Sequence, residues 1–246
     1  IADMPRLENA TNHAFLRVAR FTDRPSHADQ LHLDLWWGSE NILLDAGTFS
    51  YNAPLPWTNA LSTTRVHNTL TVNSQDQMTL VSRFLWLNWA QAEVLDTITD
   101  ETGQLVGITA QHDGYRRLGY VHRRSVTTFD EGCWVIDDRL LPVGRSRKQK
   151  PGTMCLHWLL PDLPWSAQEN TLTLQSQQGT IKLSIRGSRD ISLVRAGEML
   201  HGESRSDPTL GWYSPNYDIK VPALAVLATK TTDSDLSFST FLSLGR

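Results

Sequence analysis

This 246-residue chain has only two cysteines, no long apolar run and no excess of either charge. Each shortage excludes something. Cys133 and Cys155 lie in apolar strand-like patterns, GCWVID and TMCLHWLL, and read as buried, unbridged thiols. A chain this long needs no disulfide staple, so cysteine usage leaves the compartment open. Nothing approaches the ~18 apolar residues of a membrane span. A net charge of −3, without repeats or low-complexity tracts, gives no support to nucleic-acid binding or disorder. The one basic run, Arg145 to Lys150, is flanked by proline and glycine. It reads as a solvated loop, with an acidic ligand as the alternative. A signal-peptide pattern is missing and the first residue is Ile1, as expected of a mature form or an excised piece. Amphipathic helices of three turns are lacking too.

What the chain does have is alternation. Leu31, Leu33, Leu35 and Trp37 interleave with His32, Asp34 and Trp36, and Ile181, Leu183 and Ile185 interleave with Lys182 and Ser184. Period two marks half-buried strands. Further strands are expected near 13–21, 82–97, 104–112, 118–129, 133–141, 153–160, 190–196, 222–229 and 236–243. Turn signals such as Asp113-Gly114 and Arg186-Gly187 separate them. The expected fold is all-β, a single large two-layer antiparallel sandwich over residues 1–246 with at most a short helical turn within 53–63. Residues 197–220 show little periodicity and read as a long covering loop. Nine tryptophans are many for this length. Trp36, Trp37, Trp86, Trp89, Trp134 and Trp158 fall within strand patterns and are expected mostly in the core. An exposed indole would instead suit the apolar face of a pyranose.

Three potential metal ligands, His27, Asp45 and His67, stand at strand edges, 18 and 22 residues apart. Such spacing suits a site assembled across neighbouring strands. Two imidazoles and a carboxylate suit Zn²⁺ or another divalent cation. Spacing alone equally allows ordinary strand-edge polar residues.

The motifs around these residues resemble the C-terminal β-sandwich domain of the heparinase II/III family of polysaccharide lyases. The resemblance rests on His27-Ala28-Asp29 followed by Leu31 to Trp36, and on Leu43-Leu44-Asp45-Ala46-Gly47-Thr48 with Tyr51-Asn52. It continues through His67-Asn68-Thr69 with Val72 and Gln77. Weaker similarity extends over Tyr120 to Arg124, Leu156 to Pro161 and Gly211 to Tyr217. It implies a zinc or similar ion on His27, Asp45 and His67. It also implies an N-terminal α/α-toroid domain of the same polypeptide, not visible in this sequence, and an acidic polysaccharide held between the two domains. A periplasmic or extracellular setting would follow.

The implied reaction is β-elimination beside a uronic acid. The C5 proton is weakly acidic, so its removal requires a neutralised carboxylate, a general base and a proton donor for the leaving oxygen. The resemblance makes His122 and Tyr51 candidates for proton transfer, and Arg65, Asn68 and Arg124 candidates for substrate binding. Each has a plain alternative. His122 could be a strand histidine satisfied by its neighbours, Asn68 a turn-closing residue, Tyr51 a loop cap and Arg65 a salt-bridge partner. His157 is expected to be buried and satisfied. Asp137 and Asp138 cannot act as a glycosidase pair, because adjacent strand residues point to opposite faces. One departure weakens the catalytic reading. Some members carry His-x-His at the first ligand, whereas Pro25 stands two residues before His27. The alternatives are therefore a lyase domain inactive without its toroid, a non-catalytic carbohydrate-binding module, and a structural sandwich with a metal staple.

Overall fold

The computed structural model describes residues 4–9, 11–129, 132–144, 152–203, 207–231 and 236–245. The basic run at 145–150 lies outside them. In chain order the strands are β1 Arg6–Glu8, β2 Asn12–Leu16, β3 Leu33–Trp37, β4 Glu40–Leu43, β5 Leu70–Val72, β6 Thr79–Ser82 and β7 Leu85–Leu87. Then come β8 Ala92–Thr99, β9 Leu105–His112, β10 Tyr120–Phe129, β11 Cys133–Pro142, β12 Thr153–Leu160, β13 Trp165–Gln168 and β14 Thr171–Gln175. The last are β15 Thr180–Arg186, β16 Ile191–Arg195, β17 Glu198–His201, β18 Trp212–Asn216, β19 Ile219–Pro222, β20 Leu224–Thr231 and β21 Ser237–Gly245. Helical structure among the described residues is confined to three single 3-10 turns, two of them at Ala60–Ser62 and Thr64–Val66. No helix there is long and apolar enough to cross a membrane.

The largest sheet runs β13-β14-β15-β21-β11-β10-β9-β8, every pair antiparallel. A five-stranded sheet runs β17-β16-β20-β12-β5 and a four-stranded one β1-β2-β3-β4. All three supply the main core: Ile108, Val126, Ile136 and Leu242 from the large sheet, Leu156, Trp158 and Val226 from the second, Leu33 and Leu35 from the third. This is the two-layer all-β sandwich expected from the alternation.

The five-stranded sheet is buried on both faces, which decides where the candidate site sits. Leu156, Trp158 and Leu160 of β12 face the main core. Leu159, with Ala223, Ala225 and Leu227, faces a second core that includes Leu44, Ala46, Leu61 and Val66. Strands covered on both sides lose the hydrophobic-polar alternation, and β20 begins with five successive buried residues. The chain covering that outer face carries Asp45 and His67.

Three expectations need correction. Residues 197–220 do not form one long loop: they hold β17 and the β18–β19 hairpin. Pro215, the register shift between Tyr213 and Asn216, and the left-handed Asp218 hide the hairpin from a periodicity reading. Strand β3 starts at Leu33, because Leu31 adopts φ +59° and breaks the strand before His32. Both cysteines are free, but Cys133 is exposed and Cys155 only partly buried. Trp37, Trp86, Trp134 and Trp158 are buried as expected, whereas Trp36 and Trp89 are only partly so.

Candidate metal centre

Three local structures deliver the three candidate ligands. His67 caps the 3-10 turn Thr64–Val66, its amide donating to the Thr64 carbonyl at 3.2 Å. Asp45 follows β4 and closes a tight turn, its Oδ1 accepting the Gly47 amide at 2.7 Å. Gly47 has φ +73°, and a Cβ there would run into the Ser214 carbonyl, so only glycine fits. His27 precedes Ala28, whose amide donates to the Ser62 carbonyl at 2.9 Å, and its Nε2 lies 3.0 Å from Thr48 Oγ1.

One potential ligand atom from each of His27, Asp45 and His67 falls within 4.8 Å of the others. The rings of His27 and His67 lie 5.2 Å apart, and His67 Nδ1 is 4.0 Å from Asp45 Oδ2. His67 is completely buried, yet neither of its nitrogens has a hydrogen-bond partner among the described residues. Leaving a buried polar atom unpaired costs about 1–3 kcal/mol, so a ring with two is an exception that a ligand would resolve. The Asp45 side chain keeps 40% of its surface exposed, so the cluster opens to solvent.

The electrostatics favour the forms that bind cations. Burial pushes the His67 imidazole down to about 3 and that of His32 down to about 4, so both present neutral rings. Burial works to raise the Asp45 carboxyl, but His67, His32 and His27 outweigh it and hold Asp45 below the usual carboxylate range. A neutral imidazole and an ionised carboxylate are the states that ligate a divalent ion.

The other candidate residues separate into two groups. Tyr51 and Arg65 remain near the surface. The Tyr51 ring packs edge-on against Phe84 at 4.9 Å and tilted against Tyr217 at 5.3 Å, and its amide donates to Tyr217 Oη at 3.1 Å. Arg65 is half exposed and paired with Asp207 at 2.9 Å.

His122, Arg124 and Asn68 lie in the core with their polar atoms engaged, so the structure gives them structural places and no face toward a substrate. His122 Nε2 is 2.7 Å from Asp138 Oδ1, and its Nδ1 is 3.1 Å from His112 Nε2. Arg124 holds both Asp138 oxygens at 2.8 and 3.0 Å. It also donates to the carbonyls of Leu31 and Asn68 at 2.6 Å each. Asn68 donates its side-chain amide to the Leu33 and Leu44 carbonyls and accepts the Leu159 amide. His157 is buried with Nδ1 against the His67 carbonyl at 2.9 Å, but its Nε2 has no partner, so it is only half satisfied.

Sequence reasoning missed His32 beside the cluster and the hairpin that braces the Asp45 loop. His32 Nε2 lies 3.7 Å from Asp45 Oδ2. Lys220 sits 3.3 Å over the Trp212 ring and 4.1 Å over Trp57, a cation–π clamp. The β18–β19 hairpin carrying Lys220 also binds the Asp45 loop, through Ser214 N to Ala46 O at 2.9 Å and Asp218 N to Phe49 O at 2.7 Å. Their signals existed only in tertiary structure.

With the geometry in hand, the profile of the family described as "Heparinase II/III-like, C-terminal" matches residues 5–239. The chain belongs to this family. Its fold is similar to that of a solved heparinase III, the BT4657 gene product (TM-score 0.71, 17% identity), with 94% of this chain and 32% of that one covered. It is also similar to heparan sulfate lyase HepC from Pedobacter heparinus (TM-score 0.69, 17% identity), covering 94% and 33%. A protein of different name, Slr1438 from Synechocystis sp. PCC 6803, shares the fold over 97% of its length at TM-score 0.51 and 9% identity. No curated protein sequence matches. The heparinase II/III-like domain described here therefore spans about a third of the two solved lyases.

Proposed function

We propose that this domain forms the metal-bearing wall of a polysaccharide lyase cleft, with His27, Asp45 and His67 holding zinc or a similar divalent ion. The reading rests on one observation: a fully buried His67 with two unpaired nitrogens, beside a solvent-open carboxylate and a second imidazole. Structural zinc usually takes four protein ligands, whereas three leave a position for water or substrate. The bound ion would supply fixed positive charge near a uronate carboxylate. Tyr51 and Arg65 are the candidate groups of this domain that can reach a ligand, Tyr51 as a proton donor or acceptor and Arg65 as a carboxylate partner. The remaining proton-transfer groups would come from the rest of the polypeptide, an α/α-toroid on the family resemblance. On this reading the substrate is a uronate-containing polysaccharide cleaved by β-elimination, and the domain alone is inactive.

The test is metal content by inductively coupled plasma mass spectrometry on protein purified without a metal-affinity tag, beside His67→Ala. About one divalent ion per chain, lost in the variant, is expected. Unsaturated product released by this domain alone would overturn its dependence on a second domain. Pro25, standing two residues before His27, favours a second reading, a carbohydrate-binding module without chemistry. Glycan retained by the full-length protein, with no unsaturated product from any acidic polysaccharide, would establish that reading.

A further inference from the structure

Beside the three proposed ligands lies a third imidazole that the metal reading leaves unused. His32 is buried, and its Nδ1 accepts the Asn68 amide at 3.0 Å. An amide N–H can only donate, so Nδ1 carries the lone pair. The proton of the neutral ring is therefore on Nε2. That Nε2–H has no hydrogen-bond partner among the described residues, and Asp45 Oδ2 stands 3.7 Å away. The other Asp45 oxygen is already held by Gly47.

We infer that His32 is a positioning residue for the metal centre: its Nε2–H orients the Asp45 carboxylate, and the ring does not ligate. This rests on the metal reading above and adds to it the group that fixes the carboxylate. Ligation would require a lone pair on Nε2, hence a proton on Nδ1 facing the Asn68 N–H. The Asn68 peptide could escape that clash only by turning. The carbonyl of that peptide, His67 O, accepts the Thr69 amide at 2.8 Å and lies 2.9 Å from His157 Nδ1, while three hydrogen bonds fix the Asn68 side chain. Partners behind metal ligands are typically worth about 10–100-fold in affinity, and a carboxylate with one anchored and one free oxygen is the kind of ligand that needs one.

Two substitutions separate the ring's two nitrogens. His32→Asn retains an acceptor near Nδ1 for the Asn68 amide and loses the donor toward Asp45. His32→Gln retains a donor near Nε2. Zinc affinity is measured by competition with a chromophoric chelator, and melting temperature in chelator reports the fold. His32→Asn is expected to bind zinc about 10–100-fold more weakly with its metal-free melting temperature close to that of the parent. His32→Gln keeps most of the affinity. Equal affinity of His32→Asn and the parent, or equal losses in both variants, overturns the inference and leaves the metal reading standing.

Cobalt(II) replaces zinc to count ligands. Unchanged ligand-field bands in His32→Asn support a positioning role, whereas bands of a nitrogen-poorer site show that His32 ligates and overturn it. The tautomer is read without any metal by long-range ¹H–¹⁵N correlation of the imidazole. A proton on Nε2 is expected, and one on Nδ1 overturns the inference even if the parent takes up no metal, an outcome that by itself overturns the proposed metal site.

Discussion

Among its described residues the domain contains two histidine–aspartate clusters, and they differ in one respect that separates their roles. In the core of the large sheet, His112, His122, Asp138 and Arg124 form a sealed network. The Gly114 amide donates to His112 Nδ1, so His112 Nε2–H donates to His122 and His122 Nε2–H to Asp138. Every step in that chain has one direction. The cluster of His27, Asp45 and His67 has the same residue types but leaves both His67 nitrogens unpaired and Asp45 half open to solvent. Residue type therefore does not distinguish a ligand site from a core tie; the count of unspent donors and acceptors does. The two are also joined: Arg124 of the sealed network holds the Asn68 carbonyl, and the Asn68 amide sets the tautomer of His32 beside Asp45.

The largest expected effect is one both clusters share. Burial holds the imidazoles of His67 at about 3, His32 and His157 at about 4, and those of His112 and His122 below their usual value. The unfolded chain protonates each near 6.5 while the folded chain resists. Stability is therefore full above pH 6.5 and is lost as pH falls toward 4, by about 1.4 kcal/mol per pH unit for each extra proton the unfolded state binds. Asp34, pushed up to about 6 by burial, and Asp76, raised by the same cause, work in the opposite direction. Melting temperature in chelator should fall steeply from pH 6.5 to 4.5. A flat profile there would mean that the rings are charged in the folded state and that neither cluster is as drawn.

Next in size is the contrast in what each cluster does for the fold. Arg124→Met strands a buried Asp138 carboxylate and two carbonyls, and breaking such a pair typically costs about 3–5 kcal/mol. His27→Ala, at the open rim, should cost metal-free protein under about 1 kcal/mol. Equal losses in denaturant titrations of the two variants would break the comparison. Zinc sharpens it from the other side: at a hundredfold excess over its dissociation constant, an ion stabilises by about 2.7 kcal/mol. That increment should vanish in His67→Ala and survive in His122→Gln.

Much of this fold could be read from alternation, because most strands have one face in the core and one facing out. β9 and β12 lie where the pattern places them. The pattern fails where a backbone irregularity interrupts it, as at Leu31 and in the β18–β19 hairpin. That His27, Asp45 and His67 lie together was legible through the family resemblance of their motifs, not through spacing alone. The roles of His122, Arg124 and Asn68 were not. On β10, His122, Arg124 and Val126 share one face, and period two does not say whether that face meets another sheet or a solvent cleft. Here Arg124 lies over Trp158 of the five-stranded sheet and donates to the Leu31 and Asn68 carbonyls, so the polar residues on it are ties. His32 was hidden for the related reason that its neighbours, Asp45 and Asn68, are distant in sequence.

The smallest effect tests whether the open cluster faces a glycan at all. Arg65 is half exposed and paired with Asp207, and exposed ion pairs contribute only about 0–1 kcal/mol to stability. Arg65→Ala should leave the melting temperature almost unchanged. If Arg65 meets a uronate, the same change weakens binding of an acidic oligosaccharide several-fold at low salt. The difference should shrink as ionic strength rises and screens the contact. Asp207→Ala decides the matter, because it removes the competing carboxylate without touching the arginine. Binding that holds or strengthens in Asp207→Ala while falling in Arg65→Ala places the guanidinium on the ligand. Parallel behaviour of the two variants would make the pair a surface tie between the Thr64–Val66 turn and the Asp207 segment, and glycan contact would then rest on Tyr51 and its aromatic neighbours.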